Sequence, residues 1–423
     1  MTSYGALVQS VTMPQMVRVR QHFDRPIVED INLSIRKELD RPEIRKIDLT
    51  GKRVVITCGS RGIHKIAEMI RQIVAACKER GAEPVVIPAM GSHGGATAEG
   101  QREILYNLGV TEAFCGCPIV SSMEVKKIGK TSNGRDVYID KYAAESDGII
   151  LVNRIKAHTE FRGVHESGLM KMMAIGLGKQ YGAQVCHYAG CHMLHEMIPA
   201  FGNAILENAP VLFGVGILEN AYDETAEIHA LTPNEIRSQE PILLEKAKSL
   251  MGKILLDHTD VLVVDQIGKN ISGNGADPNV TGAFESKNLT GGISAYKRVV
   301  LDIHKDSHGN GTGMGVFDTT TKRLVDKVDL AAVYVNALTS ATTQLPKIPM
   351  TMDSDHDAIA AAISTCAYAQ DRENIKLVRI KNTMELEDIW VSAALLEEVK
   401  KNPQLEILSE PEPFDFDEAG NLF

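Results

Sequence analysis

The chain has no even cysteine framework. Its seven Cys, at 58, 77, 115, 117, 186, 191 and 366, leave one over and follow no regular spacing. That pattern predicts a reducing compartment and excludes a disulfide-stapled secreted fold. Aromatic residues make up only 5%, with a single Trp, which disfavours a base-stacking surface. Basic residues are the minority, 45 against 55 acidic, for a formal charge of −10. This argues against a nucleic-acid partner and against an anionic membrane surface. A local cationic pocket for a small anion remains compatible with it. No run of 18 apolar residues occurs, so no membrane span is expected. The opening MTSYGALVQSVTMPQ has no basic stretch followed by an apolar one, so no signal peptide is expected. These absences predict a cytoplasmic enzyme or a small-molecule binding protein.

What is present is ordinary globular material. The 423 residues are 44% apolar and 24% charged, enough for two or three cored domains. Strand and helix patterns alternate. Residues 53–57 (RVVIT) read as a buried strand, followed by the turn Cys58-Gly59-Ser60-Arg61-Gly62. A helix over about 63–80 follows, ending at Gly81. Residues 84–88 (PVVIP) read as a second strand, then the turn Gly91-Ser92-His93-Gly94-Gly95 and a helix over 97–107. Further strands are expected at 148–152 (GIILV) and 211–215, a helix over 240–255, then strands at 261–264 (VLVV), 297–303 and 331–335. The alternation predicts an α/β fold of two domains, each a mostly parallel sheet flanked by helices, with the active site in the cleft between them. The expected boundaries are 1–255, 256–400 and a loose tail, 401–423. Ligands of such sheets bind beyond the carboxyl ends of strands. Arg61, His93, the stretch Asn153–His158 and Asp265-Gln266 all fall there.

Three familiar chemistries fit poorly. Thr57–Ile63 resembles the glycine-rich turn of a dinucleotide site, but Cys58 and His64 replace two of its glycines. No Tyr has a Lys four residues on, and no G-x-S-x-G elbow occurs. Cys186, His187, Cys191, His192 and His195 have helical spacings that suggest zinc, which keeps a zinc-dependent hydrolase as an alternative. Lys171, set in SGLMKMM, is unusual: a lysine among apolar residues either snorkels or is placed for covalent chemistry.

Taken together, His93, His158, Lys171, His187 and the pair Gln266 and Lys269 resemble the nickel-dependent lactate racemase family. The resemblance follows chain order through most of the sequence, including the Lys171–His187 and Gln266–Lys269 spacings. It implies a racemase or epimerase of a 2-hydroxy acid. His93 and His158 would be its two proton-transferring bases. The implied cofactor is a nickel-pincer nucleotide joined covalently to Lys171, with His187 ligating nickel. The turn Cys58, Gly59, Ser60 and Arg61 would contact that cofactor. Arg61, Gln266 and Lys269 would bind the substrate carboxylate. Cofactor-synthesis enzymes are the implied partners.

The implied reaction has a physical rationale. The α-C–H of a hydroxy acid is barely acidic beside a carboxylate, so inversion is easier through a planar 2-keto acid. Each enantiomer then needs its own base for the hydroxyl proton, and neutral histidine suits both. Two departures bear on substrate. Cys58 stands where the family's turn usually begins with aspartate. The stretch from His158 to Lys171 is also longer and adds Arg162, His165 and Glu166. Arg154, Lys156 and Arg162 could accordingly meet a larger or doubly charged acid. A cofactor-free relative that binds a small anion is the runner-up.

Overall fold

The computed structural model describes residues 5–60, 62–188, 190–286, 288–340, 342–367 and 374–423. The chain forms two compact units. One is Arg25–Met251, and the other combines Met1–Asp24 with Gly252–Phe423. Both are α/β with mostly parallel sheets.

In the Arg25–Met251 unit five strands lie in the order Glu83–Pro88, Arg53–Cys58, Gly148–Arg154, Val211–Glu219, Thr225–Leu231. The first four are parallel and the last is antiparallel. Both faces are covered, which is why the strands read as unbroken apolar runs rather than alternating ones. Val54, Ile56, Ile150 and Val152 pack with Met69 and Ile73 of the helix Ile66–Glu79 on one face. Val55, Ile149 and Leu151 pack with Leu169, Met173 and Phe201 on the other.

Helix starts follow side-chain capping. Thr97 accepts from the Gly100 N–H and opens Ala98–Asn107. A helix expected over 240–255 instead spans Pro233–Leu250, because Thr232 and Glu235 form a capping box with Pro233 in the first turn. The sequence therefore starts it a full two turns earlier than its apolar pattern suggests.

The other unit holds an eight-stranded sheet in the order Met350–Met352, Thr319–Thr321, Ser294–Ile303, His258–Ile267, Leu377–Ile380, Asp388–Ser392, Met16–Gln21, Leu405–Ile407. The first five are parallel, and the last three join antiparallel. This corrects the expected boundaries. Residues 1–24 go with the second unit because Met16–Gln21 pairs with Asp388–Ser392 and Leu405–Ile407. The tail is not loose either: Met16 bridges to Glu412, and the Arg323 guanidinium donates to the Phe423 carbonyl. A strand expected at 331–335 is part of the helix Leu330–Ser340. Asp329 accepts from the Ala331 and Ala332 amides at its start, and Val333 and Ala337 are buried one turn apart. A five-residue apolar run carries too little periodicity to separate the two cases. Among the described residues no helix is long and apolar enough to cross a membrane.

Candidate active site in the Arg25–Met251 unit

Three adjacent strand ends carry the polar residues singled out above. Cys58, Gly59 and Ser60 follow Arg53–Cys58, His93 follows Glu83–Pro88, and His158 follows Gly148–Arg154. The turns at Gly59 and Gly91 pack on the segment just after Lys171. A Cβ on Gly59 would lie 3.4 Å from Met172 Cε, and the Gly91 N–H donates to Gly176 O at 3.2 Å. Lys171 ends the short helix Leu169–Lys171, and a π-helical stretch, Met172–Leu177, continues it. Such turns are rare and concentrate at functional sites.

Lys171 Nζ lies 2.5 Å from His158 Nε2. On the far side of that ring, Nδ1 accepts the Glu160 backbone N–H at 3.0 Å. An accepting Nδ1 puts the ring proton of a neutral imidazole on Nε2. The ring therefore donates towards Lys171, whose amine can accept only when uncharged. Burial pushes the His158 pKa well below its ordinary 6.5, and a charged Lys171 would push it further, so the ring is neutral in either case. His158 is itself held firmly. Its backbone N–H donates to Glu166 Oε2 at 2.7 Å, its ring lies 4.3 Å from that of Phe161, and Lys156 and Ser167 close the loop with paired backbone bonds.

His187 ends the helix Lys179–His187. Burial lowers its pKa to about 4, and a charged Lys171 would act in the same direction. A neutral half-buried imidazole near an amine fits a metal ligand. Among the described residues no three His, Cys, Asp or Glu side chains converge on one point. The zinc cluster expected from the Cys and His spacings gains no support: burial pushes the Cys186 thiol up to about 12, and His195 Nδ1 faces the His192 carbonyl.

His93 differs from His158. Its Nδ1 lies 2.8 Å from Met90 O and 2.9 Å from Ser60 Oγ. A carbonyl can only accept, so Nδ1 carries the proton and the basic lone pair is on Nε2. The two histidines thus hold opposite tautomers.

The remaining candidates divide. Cys58 is buried, with its thiol pushed up to about 12 by burial, so it replaces no carboxylate charge. Arg61 lies outside the described residues. Gln266 and Lys269 belong to the other unit, at the end of His258–Ile267 and in the turn after it, where Lys269 Nζ donates to Gly273 O at 2.6 Å. Of the three extra cations, Arg154 pairs with Glu219, and Arg162 donates to the carbonyls of His158 and Phe161.

One residue gave no signal in the sequence. Glu240 is buried, and its carboxyl receives the Met170 N–H at 3.2 Å, at the start of the Lys171 helix. Gly168 permits this approach, since a Cβ there would sit 2.1 Å from Glu240 Oε1. Burial raises the Glu240 pKa to about 8. The folded protein therefore holds a proton that the unfolded chain releases near pH 4.5. The resulting stability is full below about pH 4.5 and lost as pH rises through about 8, at up to roughly 1.4 kcal/mol per pH unit. Glu240→Gln keeps an acceptor and removes the titration. Its melting temperature is expected to gain on the unaltered protein between pH 5 and pH 9; parallel curves would refute a protonated Glu240.

Residues 8–197 match the lactate racemase N-terminal domain. No curated protein matches significantly. Among solved structures, a Thermotoga maritima protein from a structural genomics programme aligns at TM-score 0.47 and 14% identity, over 66% of this chain and 71% of its own. The lactate racemase apoprotein of Thermoanaerobacterium thermosaccharolyticum aligns at TM-score 0.40 and 14% identity, over 94% and 98%.

Proposed function

Because residues 8–197 match the lactate racemase N-terminal domain, we propose that the chain is a racemase or epimerase of a 2-hydroxy acid that uses a nickel-pincer nucleotide. The observation that carries this reading is the 2.5 Å contact between the Lys171 amine and His158 Nε2. A lysine needed only for charge gains nothing from a donor ring. A lysine needed as a nucleophile gains its uncharged form. Lys171 would hold the cofactor covalently, His187 would ligate its nickel, and the 58–60 turn would lie along it. When bound, the group supplies the hydride-accepting centre that no side chain provides.

The chain's own residues handle protons and position. His93 Nε2 has the lone pair to take the substrate hydroxyl proton. His158 would take the corresponding role for the other enantiomer. Glu166 fixes the His158 backbone in place. Arg61 would supply the cation that pairs with the substrate carboxylate.

The test is a screen of single-enantiomer 2-hydroxy acids carrying deuterium on the α-carbon, on protein made together with the cofactor-synthesis enzymes. The opposite enantiomer should appear with its label retained. Label lost to solvent would overturn hydride return. Failure with every acid on fully loaded protein would overturn the racemase reading.

A further inference from the structure

Lys179 is placed at considerable cost. Its side chain is fully buried and its backbone is left-handed, at φ 53°, a conformation few residues other than glycine adopt. Its amine donates to Pro88 O at 2.5 Å and to Gln101 Oε1 at 3.1 Å, and Nζ makes an ion-pair contact with the buried Asp140 Oδ2 at 3.2 Å. Gln101, also fully buried, carries the link onward. Its Nε2 donates to Gly91 O at 2.8 Å and to His93 O at 3.2 Å. Pro88 closes the strand before His93, and Gly91 and His93 are the turn itself. Lys179 follows the π-helical stretch that begins beside Lys171. A buried polar chain thus runs from the lysine-bearing segment to the His93 turn.

The geometry points to Lys179 and Gln101 as positioning residues that fix the His93 turn and, through it, the ring tautomer. The contact between His93 Nδ1 and Met90 O closes within one turn, so its length depends on where that turn's carbonyls are held. Gln101 holds two of them. Only an amide serves here: one end must accept from an ammonium, and the other must donate to carbonyls. Glutamate would satisfy Lys179 and repel Gly91 O and His93 O. The inference rests on His93 being a base of the proposed reaction, and it makes Lys179 and Gln101 part of what sets that base.

The experiment is nitrogen NMR of histidine side chains in the full chain without cofactor, at a pH where the rings are neutral, with the His93 signals identified from a His93→Ala sample. The unaltered protein should show His93 as the Nδ1–H form. Gln101→Glu, which keeps the Lys179 partner, and Gln101→Met, of similar volume, should both shift the ring towards the Nε2–H form that prevails in free histidine. On cofactor-loaded protein, kcat should fall about tenfold or more while KM stays nearly constant, as misplacing a proton-transfer group by a fraction of an ångström implies. An Nε2–H ring in the unaltered protein would overturn the inference even if neither variant folded, and so would an unchanged tautomer in Gln101→Glu. Absence of any racemase activity in the unaltered protein would instead strike the functional reading, leaving the tautomer result intact.

Discussion

Lys171→Ala, made alongside the cofactor-synthesis enzymes, is expected to have the mass of the bare chain and no detectable racemase activity. The unaltered protein should carry an added mass on the peptide containing Lys171, together with nickel. Lys171→Arg should behave like Lys171→Ala, since a guanidinium stays charged and offers no amine nucleophile. It would also set a permanent charge against the His158 Nε2–H, which a half-buried site bears poorly. His187→Ala separates the two attachments. The lysine adduct should persist while nickel is lost, because in the proposed site His187 would ligate the metal and take no part in the lysine linkage. An adduct that survives Lys171→Ala would remove the lysine assignment, and nickel that survives His187→Ala would remove the ligand assignment. Intact-mass measurement and metal analysis on the same samples decide the matter without an activity assay.

His93→Ala and His158→Ala should each lower kcat by about a hundredfold or more, the usual scale of a lost proton-transfer group. The opposite tautomers make the two losses distinguishable. The His93 ring is held by Met90 O and Ser60 Oγ, so His93→Ala should keep the full adduct. His158→Ala removes the ring that holds Lys171 as a nucleophile, so its adduct should also form more slowly. The measurement is chiral chromatography from each pure enantiomer, with the adduct followed by mass. If either substitution leaves both directions near the original rate, one base suffices and the two-base scheme fails. Equal adduct levels in both variants would show that His158 does not prepare the lysine.

The strands that position this site were legible because they are buried on both faces. RVVIT, PVVIP and GIILV announce themselves as apolar runs, and the polar residue after each run marks a strand end. The strand Met16–Gln21 was not, since Arg18 and Arg20 interrupt its apolar run and its partners lie at the other end of the chain. Histidines 93 and 158, Lys171 and His187 were reached through family resemblance, and the spacings alone would have left them as isolated polar residues. Glu240, Lys179 and Gln101 could not be read at all. Their meaning lies in partners far away in sequence: Glu240 meets Met170, and Lys179 meets Pro88 and Asp140. A buried polar residue looks the same in a sequence whether it holds a site together or sits on the surface. The tautomers were equally hidden, since they follow from which backbone groups stand beside each ring.

The return of the first strand to the last sheet has a consequence for the order of synthesis. When Met16–Gln21 leaves the ribosome, the strands it pairs with at Asp388–Ser392 and Leu405–Ile407 do not yet exist. At about 5–20 residues per second, the partners emerge roughly 20–70 seconds later. The Arg25–Met251 unit has all of its own strands long before then and can fold first. Throughout that interval the nascent chain carries an unpaired apolar strand, with Val17 and Val19 destined for full burial. A chaperone that holds the first two dozen residues should therefore raise the soluble yield, and slowing translation late in the message should lower it.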